Sequence, residues 1–245
     1  MAEFKLPTET VQLPSKGLIY PEGHPLASGE VEIKYMTAKE EDILTNQNYI
    51  LNGTVLDKLM KSLIVTEFNY NDLLIGDKNA IMVAARVLGY GAEYKFNYGG
   101  TEQTVDLSTL ENKELDESLY TKGQNEFSFT LPTSGNEVTF KILTHGDEVK
   151  INQELEGLKK LNKEGSPELT TRLKYMIQSV NGDREKKTIR EFVDQAFLAR
   201  DTRAFREYIN KIQPDVDLSF FPQGNSKPVS LPIGLSFFWP DTQLS

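Results

Sequence analysis

The chain has 245 residues, enough for one large domain or two small ones. A formal net charge of −9 disfavours nucleic acid and anionic lipid as partners through bulk electrostatics, and hydrophobic residues at 38 % suffice for a real core. With no cysteine, disulfides, thiolate nucleophiles and Cys-ligated zinc are excluded.

Residues 1–28 read as an extended N-terminal arm spaced by Pro7, Pro14, Pro21 and Pro25, each of which disfavours helix at itself and at the residue before it. Two uses are open for it: a surface loop, or a peptide that lies in a partner's groove. In GEVEIKYMT (29–37), Val31, Ile33 and Tyr35 alternate with Glu30, Glu32 and Lys34, which predicts a half-buried strand. Thr37 and Glu40 fit a capping box, and the acidic Glu40, Glu41 and Asp42 suit the first turn of the helix that follows. Asn52-Gly53-Thr54 opens a second helix, with Val55, Leu56, Leu59, Met60, Leu63 and Ile64 at helical spacing. Gly76 then reads as a break, Asp77 as an N-cap, and Gly89/Gly91 as the end of a third helix. That helix is apolar on nearly every face except at Arg86, so it is expected at the centre of the core.

Gly99-Gly100 lies between Tyr94-Phe96-Tyr98 and Val105-Leu107, a hairpin signature. A second hairpin is expected in 125–144, turning at Pro132–Gly135, with Leu107–Gly123 between them as loop and one helical turn. Residues 145–213 are predicted helical. Asp147–Leu161 is amphipathic, Ser166-Pro167 starts a helix through Leu169, Leu173, Met176 and Ile177, and Asn181–Asp183 is a turn. Two further helices follow, one through Ile189, Phe192, Val193 and Phe197, the other through Phe205, Tyr208 and Ile209 with Asp201 as its cap. After Pro214 the chain returns to strand and ends in an aromatic tail, FFPQGNSKPVSLPIGLSFFWPDTQLS (220–245), which holds the only tryptophan.

The predicted fold class is α+β: a helical body with two short β-ribbon excursions and an extended N-terminal arm. Its regions are the arm (1–28), a strand plus helices (29–91), β-hairpins (92–144), a helical region (145–213) and a C-terminal ribbon with the tail (214–245), in one or two compact units.

No motif nominates a reaction. His24 and His145 have no second ligand at metal spacing, no G-x-S-x-G elbow presents a serine, and no glycine-rich phosphate loop follows a strand. No cofactor is expected. A catalytic carboxylate cluster at Glu40, Glu41 and Asp42 is the rival to the helix-dipole reading, and a hydrolase using His24 or His145 is a further enzymatic alternative, since triad members can come from anywhere in a chain. What the sequence does offer is surface. The arm residues Leu13, Pro14, Gly17, Leu18, Tyr20 and Pro21, and the tail tip Phe237, Phe238, Trp239 and Pro240, are the candidate interface residues. For the tail, burial in the chain's own core is the competing expectation. No apolar run reaches the roughly 18 residues of a bilayer span. The opening MAEFKLPTETVQLPSKG lacks the order of a signal peptide, so a cytoplasmic protein is expected.

The segment LPSKGLIYPEGHPLASGEVEIKYMTAKEEDILTNQNYILNGTVLDKLMKSLI, then DLLIGDKNAIMVAARVLGYGAEY, then the closing FFWP, resembles the baseplate hub assembly proteins of T-even-like tailed bacteriophages over nearly the whole chain. The resemblance implies a non-enzymatic protein of tail baseplate hub assembly. Its partners would be other tail and hub proteins, with neither nucleic acid nor membrane, and the setting allows a homo-oligomer or symmetric assembly. It would work in the host cytoplasm during assembly and, as a hub subunit, stay in the virion baseplate. The alternative within that reading is a transient chaperone absent from the mature particle. Many members carry a Cys-x-x-Cys knuckle in each β ribbon, suggesting a zinc ribbon. Here the corresponding turns are Asn97-Tyr98-Gly99-Gly100 and Pro222-Gln223-Gly224-Asn225, so metal is ruled out at both. Such degenerate, metal-free ribbons are too short to stand alone, and are expected to be held by Tyr94, Phe96, Phe220 and Phe221 against the body or a partner.

Overall fold

The extended arm enters the fold as a strand. In the computed structural model, which describes residues 6–161, 167–222 and 227–238, β1 (Thr8–Gln12) pairs antiparallel with β2 (Glu30–Lys34). Val11 lies opposite Val31, and both are buried. The turns between these strands fold LPSKGLIYP inward. Gly17 has φ +74°, and a Cβ there would stand 2.5 Å from the Ala27 carbonyl oxygen, so the close approach requires glycine.

The predicted strand and helices of 29–91 form. α1 (Ala38–Leu44) starts at Thr37, whose N–H and hydroxyl both donate to Glu40, at 2.9 and 2.6 Å. Glu40 is no surface charge: its side chain is fully buried and also accepts from Lys34 at 2.8 Å and Ser62 at 2.7 Å. It thereby joins β2, α1 and α3 (Val55–Leu63). A short α2 (Gln47–Leu51) intervenes, capped by Asn46; its five residues are too few to show a period in the sequence.

α4 (Ile75–Tyr90) is the central helix, and it begins earlier than the glycine suggests. Gly76 sits within its first turn rather than breaking it. A Cβ there would lie 1.8 Å from the Pro214 carbonyl oxygen, so the residue is small because the 214–215 backbone crosses it. Asp77 is likewise not the N-cap, which is Leu74.

Both hairpins form, β3 (Glu93–Tyr98) with β4 (Thr101–Asp106), and β5 (Phe127–Thr130) with β6 (Glu137–Phe140). Between them lie two 3-10 turns, Leu107–Thr109 and Glu117–Leu119, rather than one helical turn. A third strand, β7 (Ile177–Val180), completes a sheet of order β5-β6-β7. It follows α6 (Glu168–Met176) without a loop, so Ile177 starts a strand where the apolar spacing had extended the helix. Its pairing with β6 jumps from Thr139↔Ser179 to Phe140↔Ile177, which leaves Gln178 as a bulge.

α5 (His145–Leu161) and α6 are tied by Arg172, whose guanidinium meets Glu148 through both terminal nitrogens, and by Tyr175, which donates to Glu154 at 3.0 Å. α7 (Lys186–Glu191) runs into a π turn, Phe192–Ala196, and α8 (Ala199–Ile212) follows. Asp201 does not cap α8. Its carboxylate accepts the N–H groups of Thr133 (2.6 Å) and Ser134 (3.0 Å), fixing the β5–β6 turn on that helix. Phe205 of α8 packs edge-on to Phe140 at 4.9 Å in the middle of the molecule.

The C-terminal ribbon is shorter than predicted, β8 (Ser219–Phe220) with β9 (Val229–Ser230), and a 3-10 turn, Leu235–Phe238, is the last described element. The two ribbons pack on one another: Phe220 meets Phe96 at 5.0 Å and Tyr98 at 5.9 Å, both edge-to-face. Buried residues from all five sequence regions, among them Leu13, Ile33, Tyr94, Phe205 and Phe237, belong to one hydrophobic cluster. No helix among the described residues is long and apolar enough to cross a membrane.

Candidate functional site

The residues expected at interfaces lie mostly inside the chain. Leu13, Pro14, Gly17 and Tyr20 of the arm are buried, and so are Phe237 and Phe238 of the tail, both fully inaccessible. These side chains are core here and offer no surface; Trp239 and Pro240 lie outside the described residues. Leu18 remains half-buried and Pro21 exposed.

Two buried polar groups explain the inward turn of these segments. Asp77 accepts from the Ser15 N–H (2.9 Å), the Ser15 hydroxyl (2.7 Å) and the Tyr20 hydroxyl (2.7 Å), so the arm is bonded to α4. Burial pushes the Asp77 carboxyl up to about 6 despite those three donors. Arg86 donates to the carbonyls of Phe237 (2.9 Å), Gly91 (2.9 Å) and Glu93 (3.2 Å), fastening the tail and the first ribbon to the same helix. The arm and tail are thus two straps anchored on α4 by one anion and one cation. The sequence marked Arg86 only as the polar exception on an apolar helix, and Asp77 as that helix's N-cap.

The histidines are absorbed in packing. His24 accepts the Leu26 N–H at its Nδ1 (3.2 Å) and stacks on Tyr20 with ring centroids 5.0 Å apart. His145 is buried, edge-on to Tyr70 at 4.5 Å, with its Nε2 3.5 Å from Asp57. Burial holds its pKa below the usual value against the pull of that carboxylate. Asp57 itself is engaged by Lys78 at 2.7 Å, and no Ser or Thr hydroxyl bonds to the imidazole among the described residues. A histidine beside a carboxylate is two-thirds of a triad, and the hydroxyl that would complete it is not at the imidazole among the described residues. As for metal, Asn97–Gly100 offers no thiolate or imidazole. Nowhere among the described residues do three or more His, Asp or Glu side chains gather to hold an ion. Phe96, stacked on Tyr94 (5.0 Å) and edge-on to Phe220 (5.0 Å), joins the ribbons instead, while Phe221, expected to share in this, is exposed.

The strongest outward feature is one that no sequence run revealed. A cleft of ≈ 450 Å³ opens between the start of α5, the end of α6, β7 and α7. Six cationic residues line it: Lys141, Lys150, Lys174, Arg184, Lys186 and Arg190. They come from five different segments, and only Lys186 and Arg190 share an element. Asp147 is the sole acidic group in the lining. Lys141 is bound to Asp147 at 2.6 Å, Lys174 to Asp194 at 2.7 Å, and Arg184 to Glu126 at 2.5 Å. Lys150, Lys186 and Arg190 are exposed and make no ion pair among the described residues. Ile177 and Ile189, both buried, form an apolar floor, and the bulged Gln178 adds a side-chain amide to the wall. The chemistry available is recognition of an anion: fixed positive charge, a hydrogen-bonding amide and apolar surface. A chain that is acidic overall has concentrated cations in one concave place. No family model, curated protein or solved structure matches the chain.

Proposed function

We propose that this chain is a non-enzymatic protein of bacteriophage tail baseplate hub assembly that works through contacts with other tail and hub proteins. The observation that carries the reading is the cationic cleft on an otherwise acidic molecule, a surface suited to recognition rather than to bond chemistry. The ordered sequence resemblance supplies the biological setting. Exposed apolar side chains, Leu51 on α2, Leu198 before α8 and Phe221 after β8, add contact area of the kind protein partners use. In this reading the chain acts in the host cytoplasm while tails are built, and needs neither nucleic acid nor membrane.

The test is genetic and biochemical. A phage lacking the chain should accumulate tails arrested before hub completion, and the chain supplied in trans should restore them. Normal particles from the deletion strain overturn the proposal. Mass spectrometry of purified particles then separates a retained subunit from a chaperone that leaves. Replacing His24 and His145 together with alanine addresses the hydrolase alternative: restored assembly by a soluble double variant removes it.

A further inference from the structure

We propose that the cationic cleft is a docking site for an acidic peptide segment of a partner protein. Lys150, Lys186 and Arg190 would pair its carboxylates, and Ile177 and Ile189 would floor its backbone. The inference rests on the assembly reading only for the origin of that segment; the binding chemistry stands on the cleft itself.

Lys186 and Arg190 are one helical turn apart on α7, so they project from the same face and repel each other. Lys150 reaches the same cleft from α5. Each of the other three cations already has a carboxylate within 2.7 Å, so the unspent charge is local and about three units. An anion placed among these three relieves their repulsion and gains charge-assisted hydrogen bonds, bidentate at the arginine. The cleft's size, ≈ 450 Å³, accommodates a few side chains and not a polymer track. A nucleic acid needs a longer basic stripe and free aromatic faces for stacking. Here the lining holds one aromatic, Tyr175, whose hydroxyl donates to Glu154, and one ring gives no run of stacking faces. A short run of Asp or Glu on a protein satisfies the charge, the size and the floor together.

The measurement is fluorescence anisotropy of a labelled hexaglutamate peptide titrated with the intact chain. Saturable binding that weakens with added salt is expected, and the triple variant Lys150→Gln/Lys186→Gln/Arg190→Gln should bind at least about tenfold more weakly. A control triple at exposed cations outside the cleft, Lys39→Gln/Lys122→Gln/Arg203→Gln, changes net charge equally and should bind like the parent. All six positions are exposed, and an unchanged unfolding midpoint confirms that both triples fold. No binding by the parent chain, or equal loss in the two triples, overturns the inference. So does oligothymidylate binding more tightly than hexaglutamate with the same variant dependence. A parent chain that binds the peptide but cannot restore tail assembly overturns the assembly role and leaves the cleft's assignment intact.

Discussion

At the scale of single residues, the fold turns on groups that look out of place. Asp77 is fully buried in the first turn of α4 and holds three donors from the arm. Removing the carboxylate by Asp77→Ala strands those donors and should cost about 3 kcal/mol in urea unfolding at pH 5. Its titration carries a definite sign. The folded pKa, about 6, lies above the ordinary 3.8, so the folded state holds the proton more tightly. The stability from this group is complete below about pH 4 and is lost as pH rises through 6. The stability difference between the parent chain and Asp77→Asn should therefore shrink by about 3 kcal/mol from pH 4 to pH 7. A difference that stays constant over that range refutes the assignment. Glu40 behaves oppositely. Burial alone would raise it, but donors on Lys34, Ser62 and Thr37 pull it from 4.5 down to about 2, so its contribution is present at neutral pH and is lost as pH falls from 4.5 through 2. Gly76 is the steric counterpart. In Gly76→Ala the new methyl meets the Pro214 carbonyl, a backbone atom that cannot swing aside, so a loss of at least about 2 kcal/mol is expected. An alanine variant as stable as the parent would mean that the 214–215 crossing does not exist.

Among the elements, the ribbons and tail depend on α4. Each ribbon has only two strands, too few to be stable by itself. Tyr94 touches Phe237 edge-on at 4.8 Å, Phe220 closes against Phe96, and Arg86 binds the backbone of both segments. Lysine cannot reproduce the three-carbonyl grip of a guanidinium. Arg86→Lys should speed hydrogen exchange at Glu93–Phe96 and Leu235–Phe238 by tenfold or more, in a protein whose helical circular dichroism is unchanged. Exchange rates equal to the parent's would show that aromatic packing alone holds the ribbons. The helices were readable because their apolar residues repeat at a fixed spacing: α3, α5 and α8 lie where the periodicity put them. β1 was not, because Thr8–Gln12 has one apolar residue in five and becomes a strand only when β2 pairs with it. β7 was hidden for the converse reason. Its Ile177 continues the spacing of α6, and pairing with β6 decides against the helix.

For the whole molecule, one hydrophobic cluster draws on every region from the arm to the tail. Urea unfolding followed by far-UV and by near-UV circular dichroism should therefore give coincident single transitions. A separate transition for residues 145–213 would show that the helical region is its own cooperative unit. The same convergence builds the cleft, whose six cations are spread over fifty residues of sequence from Lys141 to Arg190. The α+β plan, the main helices, both hairpins and the lack of thiolate chemistry are legible in the sequence. All of these follow from local spacing, turn residues and composition. That the arm and the tail residues Phe237 and Phe238 turn inward, and that scattered lysines and arginines share one concavity, emerges only from the packed fold. Burial and charge proximity are set by which distant segments cross, and local sequence spacing does not encode that.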